Sequence, residues 1–111
     1  IVHQAPLEVV SLLLDRWPDA LKVRNTRRCT PLHLACENQA PLEVVSLLVN
    51  NWPDAIRFKR SPGYTPLHSA CSRQASLAVV SFLVECWPDS ARQKSSYGST
   101  PLHVACENQA S

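Results

Sequence analysis

The chain has 111 residues, 45% of them apolar, with 11 Lys and Arg against 9 Asp and Glu and a net charge of +2. That balance is too weak to mark a nucleic-acid binder by charge alone, and the longest apolar runs, such as Leu12 to Leu14, fall far short of the ~18–20 residues of a membrane span. The five cysteines are an odd number with no Cys-x-x-Cys pair, so they offer no ready disulfide or zinc framework.

The chain begins at Ile1, contains no methionine and shows nothing like a signal peptide, so it reads as a piece of a longer polypeptide. Ile1 to Ala5 aligns with Cys36 to Ala40, which predicts the end of a helix whose start is missing. Pro6 to Asp15 then reads as a helix, with proline at the first helical position, Glu8 in the first turn, and Leu7, Val10, Leu13 and Leu14 on one apolar face. Residues 41–50 repeat it almost verbatim, and 76–85 repeat it with Ser76 as the expected N-cap.

Each of these helices runs into Trp-Pro-Asp, at 17–19, 52–54 and 87–89. Proline cannot continue the helix, and Pro-Asp-Ala suits the start of one further short turn. Leu21-Lys22-Val23-Arg24, Ile56-Arg57-Phe58-Lys59 and Ala91-Arg92-Gln93-Lys94 follow, and their alternation predicts extended chain with the apolar members facing the body. Turn residues come next, Ser61-Pro62-Gly63 and Ser95-Ser96-Tyr97-Gly98. Thr-Pro-Leu-His then opens the other helix, expected over 31–38, 66–73 and 101–108, with threonine as cap and proline at the first helical position.

Both markers, Thr-Pro-Leu-His-x-Ala-Cys and Trp-Pro-Asp, recur every 35 residues. The chain is therefore a repeat array of about three units in a single body, 1–111, cut in mid-repeat at both ends. No unit can bury its apolar face alone, and stacking on the next supplies the core. Between 4–20 and 39–55 only positions 14, 15 and 16 differ from 49, 50 and 51, as recent duplication or a consensus origin would produce.

Gly63, Thr65, Pro66, Leu67, His68 and Ala70, followed in the array by second helices such as Leu42-Glu43-Val44-Val45-x-Leu47-Leu48, resemble the ankyrin repeat over essentially the whole chain. The resemblance implies an all-α solenoid of antiparallel helix pairs with short extended finger hairpins along one edge. It also implies that protein partners bind across the fingers and the concave helix face. The period of 35 exceeds the family's about 33, with extra residues expected in the helix–helix turn Asn38-Gln39-Ala40 and in the finger. Trp-Pro-Asp replaces the family's Gly-Ala-Asp, and Arg28 stands where Gly63 and Gly98 stand, so a differently built first finger is expected.

Candidate chemistry is sparse. His33, His68 and His103 each precede a cysteine (Cys36, Cys71, Cys106) by three residues, but two potential ligands per layer do not make the four a metal needs. The recurrence is what packing produces, and it argues against a unique catalytic site. Only two glycines are present, so no phosphate-cradling loop exists. We therefore expect no catalytic, metal or cofactor site and no small-molecule substrate. Equivalent cysteines in a helix stack sit roughly 10 Å apart, too far for a disulfide that needs alpha carbons within about 7 Å. Reduced thiols, and with them an intracellular, cytoplasmic setting, are expected. The Trp17, Trp52 and Trp87 ladder is expected to cover helix ends more than to form a binding hot spot.

The functional signal lies in the basic residues. Lys22, Arg24, Arg27 and Arg28, then Arg57, Lys59 and Arg60, then Arg92 and Lys94 place nine of the eleven cations in the fingers, and no acid falls there. Recurrence at fixed positions lines them up as a cationic edge. A solvated face is the plain reading, and a docking site for an acidic protein segment through Lys22, Arg24, Arg57, Lys59, Arg60, Arg92 and Lys94 is the sharper one. A protein-interaction scaffold is thus the leading expectation, with a structural spacer as its rival. Nucleic acid ranks below both, because only Phe58, Tyr64 and Tyr97 could stack on bases there.

Overall fold

The computed structural model describes residues 7–107. Among them six α-helices follow in order: α1 (Leu7–Arg16), α2 (Pro31–Glu37), α3 (Leu42–Asn51), α4 (Pro66–Ser72), α5 (Leu77–Cys86) and α6 (Pro101–Glu107). Short 3-10 helices, Pro18–Lys22, Pro53–Arg57 and Pro88–Arg92, follow α1, α3 and α5. The short helices α2, α4 and α6 pack side by side as an inner row, and α1, α3 and α5 form an outer row behind them. The predicted helical solenoid is therefore the observed fold. The expectations for Ile1 to Ala5, for Pro6 and for the end of the chain lie outside the described residues.

The inner helices start where threonine dictates. Thr30 Oγ1 accepts from the His33 backbone N–H (3.3 Å), while His33 Nδ1 accepts from the Thr30 N–H (3.2 Å), and Thr65–His68 and Thr100–His103 repeat this reciprocal cap. Ser76 caps α5 as expected, its Oγ accepting from the Val79 N–H at 3.3 Å. Pro41 does not take the first helical position: it is the N-cap of α3, at φ −65 and ψ 159, and its carbonyl accepts from Val44 and Val45. Its ring fixes φ but leaves ψ free to turn the chain in.

The core lies between the rows. Val45, Ala70, Leu83 and Val104 are fully buried, with Leu32 and Cys36 beside them at 1% exposure. Val45, Leu48 and Val49 are buried on the apolar face predicted from the α1 pattern, whereas Leu42 of that face, and Leu7 and Leu13 of α1 itself, are exposed. All five cysteines are free, and Cys29 and Cys36 are buried.

Trp-Pro-Asp works without a left-handed C-cap. Trp52 sits at φ −152 and ψ 81, gives its N–H to Leu48 and accepts from Ala55 with its carbonyl. It ends α3 and starts the 3-10 helix in one residue, in extended backbone that needs no glycine. The predicted extended segments begin later than their alternation suggested, because Leu21-Lys22, Ile56-Arg57 and Ala91-Arg92 belong to the 3-10 helices. Leu21 and Ile56 are buried, but Val23 is 51% exposed, against the expectation that it faces the body. A 3-10 turn repeats every three residues, so the period of two is broken before Val23.

The fingers close on short hairpins. Arg60 and Tyr64 exchange both backbone hydrogen bonds at 2.8 Å, the Asn25 N–H donates to the Cys29 carbonyl (3.1 Å), and the Ser95 N–H to that of Ser99 (2.8 Å). Gly63 and Gly98 take φ +82 and +78, and Arg28 takes φ 66. The first finger's turn thus places Arg28 in the left-handed position that glycine takes in the others, and it closes like the third, with Asn25 Oδ1 accepting from the Cys29 N–H as Ser95 Oγ accepts from that of Ser99. Gln39 and Gln74 hold the left-handed position in the helix–helix turns.

A candidate partner-binding edge

Two sets of bonds lock one repeat to the next and set the edge. His33 Nδ1 accepts from Thr30, so its proton is on Nε2, which donates to the Tyr64 carbonyl of the following finger at 3.0 Å. His68 does the same to Ser99 at 2.9 Å. Burial pushes His33 down to about 4 against a partial offset from the Tyr64 bond, and burial lowers His68 too. Both ring nitrogens are occupied, so neither imidazole has a lone pair for a metal. Burial also drives the Cys36 thiol far up, which makes it a small apolar filler.

The second set is made of cations on aromatic rings. Lys22 Nζ lies 5.8 Å from the Trp52 ring centre, the Arg57 guanidinium 4.9 Å from that of Trp87, and Arg24 4.5 Å from Phe58. Each contact reaches from one repeat to an aromatic ring of the next, at the corner for Trp52 and Trp87 and in the finger for Phe58. Trp52 and Phe58 meet edge to face at 4.8 Å, which joins corner and finger. Trp52 and Trp87 of the tryptophan ladder therefore carry the cations, while Trp17 is 58% exposed.

The cations do not all serve the edge. Lys22, Arg57, Lys59, Arg92 and Lys94 are exposed and Arg24 is half-buried. Lys22, Arg57 and Arg92 close the 3-10 helices, where positive charge is favoured. Lys59 Nζ reaches the Lys94 carbonyl at 3.4 Å. Arg60 turns inward: its side chain is 11% exposed, stacks on Tyr64 and pairs with Glu37. That carboxylate also accepts from the Ser69 hydroxyl at 2.9 Å.

Sequence reading missed this Glu37–Arg60–Ser69 cluster. Its signal was that Arg60 breaks the repeat, since Asn25 and Ser95 hold the equivalent positions, while Glu37 recurs as Glu107 and is replaced only by Ser72. Arg60–Glu37 is the one ion pair among the described residues, so the other finger cations keep their charge available.

Among the described residues no group of three or more His, Cys, Asp or Glu gathers as a metal site requires. No described helix is long and apolar enough to cross a membrane. A family model for ankyrin repeats (3 copies) matches residues 2–94 and 41–111. No curated protein matches the chain.

Proposed function

The chain belongs to the ankyrin repeat family, whose members generally mediate protein–protein interaction, and from that premise we propose that its cationic edge docks an acidic segment of a protein partner. One observation carries the reading: Lys22, Arg57 and Arg92, and again Lys59 and Lys94, are exposed at equivalent positions of successive repeats, and the only acid in each of their 3-10 helices is Asp19, Asp54 or Asp89 at its start. Stacking on Trp52 and Trp87 restrains Lys22 and Arg57 while leaving their donors facing water. A restrained guanidinium loses less entropy on meeting a carboxylate than a free one does. The charge is spread over about three repeats, which suits an extended acidic stretch. The family is typically non-enzymatic, and the free cysteines favour an intracellular setting.

A fluorescently labelled oligo-glutamate peptide tests the proposal by anisotropy. Binding strengthens as salt is lowered, and the double reversal Arg57→Glu with Lys59→Glu weakens it roughly tenfold or more and flattens the salt dependence. Unchanged affinity at low salt rejects it. In a pull-down with the whole chain, a mere spacer retains nothing specifically, and a salt-dependent shift of random oligonucleotides would instead favour nucleic acid.

A further inference from the structure

A cation recurs at fixed steps along the edge, Lys22, Arg57 and Arg92 in one row and Lys59 and Lys94 in a second, each 35 residues from the last. Resting on the docking reading above, we propose that the edge selects spacing as well as charge: its partner is an extended segment in polyproline II conformation with an acidic residue at every third position. Three features of the array set that spacing, namely its pitch, the restraint on the cations and the acids beside them.

The pitch follows from two sets of contacts. The inner helices α2, α4 and α6 lie side by side, and packed helices sit about 8–10 Å apart. In the fingers, Arg60 and Tyr64 pair across one hairpin. The Ser96 N–H joins the next hairpin to it through the Pro62 carbonyl at 2.8 Å, as the Ser61 N–H joins it to Arg27 at 3.3 Å. Each repeat therefore adds two chain-to-chain steps of about 4.7–4.9 Å, again about 10 Å in all. Polyproline II rises about 3.1 Å per residue with three residues per turn, so positions i, i+3 and i+6 share one face about 9.3 Å apart. A β-strand puts same-face residues about 6.6–6.8 Å or about 13 Å apart and falls out of register with the row. An α-helix comes close at seven-residue steps of about 10.5 Å, but it spans Lys22 to Arg92 only with about 15 ordered residues. Polyproline II needs about seven.

The cations are held at that pitch. Lys22 lies over Trp52 and Arg57 over Trp87, each 30 residues further along, so both side chains rest on the next repeat by the same step. A row already in place costs a partner less ordering entropy, and the partner's own chain loses little, because unfolded segments already populate polyproline II. Asp19, Asp54 and Asp89 supply the third feature. They are exposed one 3-10 turn before Lys22, Arg57 and Arg92, so an acidic row runs beside the cationic one. Acids at every position would meet both rows, whereas acids at every third residue face the cations and leave neutral residues for the aspartates.

Three synthetic peptides of identical composition, three Glu and six Pro, test this on the whole chain by displacing the labelled oligo-glutamate peptide at low salt. One carries Glu-Pro-Pro three times over, one carries its three Glu together at one end, and one alternates Glu with Pro before a proline tail. The Glu-Pro-Pro repeat displaces the label at severalfold lower concentration than the other two. Arg57→Gln removes most of that advantage, and Arg57→Lys, which keeps the charge, retains it. Equal potency of the three peptides, or tighter binding of an α-helical peptide with Glu at every seventh residue, overturns the spacing and leaves acidic docking intact. If no acidic peptide binds, the oligo-glutamate included, docking falls and the spacing with it.

Discussion

Mild acid isolates the buried histidines from the other titrating groups. His33 is fully buried, its Nδ1 accepts from Thr30 and its Nε2–H donates to Tyr64. A second ring proton would break the cap and bring a charge into the core. Its pKa therefore falls from 6.5 to about 4, with burial as the main cause. A folded-state value below the unfolded one means that the unfolded chain holds more protons between the two. The contribution is therefore complete above pH 6.5 and drains away as the pH falls toward 4.

At about 1.4 kcal/mol per pH unit, His33 alone removes about 2 kcal/mol between pH 7 and 5, above the range of ordinary carboxylates. His68 moves in the same direction for the same reason and steepens the loss. Urea unfolding followed by circular dichroism at pH 7, 6 and 5 reads it, and His33→Gln lowers the plateau but flattens the slope. A parent midpoint that holds steady from pH 7 to 5, or a slope that His33→Gln leaves intact, refutes the reasoning.

Arg28→Gly relieves a left-handed residue at an exposed turn and raises stability by about 1 kcal/mol in thermal or urea unfolding. Gly98→Ala costs about 1–2 kcal/mol through φ alone, whereas Gly63→Ala costs more, because its new Cβ would lie 2.8 Å from the Ser96 backbone nitrogen. Glu37→Ala strands Arg60 and the Ser69 hydroxyl and costs about 3 kcal/mol, while replacing Glu37 and Arg60 together by apolar residues of similar size comes close to neutral. A double-mutant cycle on Arg57 and Trp87 gives a coupling of about 0.5–1 kcal/mol that survives high salt better than a surface ion pair does.

The stack was legible because its cause is local and repeated. Thr-Pro-Leu-His fixes a cap, a first turn and a buried imidazole within four residues, and the period states that the next copy supplies the missing face. Errors arose where backbone dihedrals decide. Arg28 occupies the left-handed region that glycine takes in the other two fingers, since its hairpin closes through the same Asn25–Cys29 bonding whatever the side chain. The alternation of Leu21 to Arg24 looked extended, but a 3-10 turn also puts Leu21 inside and Lys22 outside. Two residues cannot separate a period of two from a period of three, and Val23 was the residue that could.

At the edge, sequence located the cations but not their neighbours. The step from Lys22 to Trp52 equals that from Arg57 to Trp87, yet nothing in either segment says that a guanidinium will lie on a ring of the next repeat. Under the docking proposal that contact would give Arg57 two roles, so a charge reversal there would loosen the stack and remove a docking charge at once. Lys59 separates the two. It is exposed, and its Nζ donates to the Lys94 carbonyl rather than lying over a ring. Lys59→Glu should therefore weaken the acidic peptide severalfold with stability changed by less than about 0.5 kcal/mol, whereas Arg57→Glu lowers both. If Lys59→Glu leaves peptide binding untouched while Arg57→Glu abolishes it in step with stability, the edge holds repeats together and the docking site lies elsewhere.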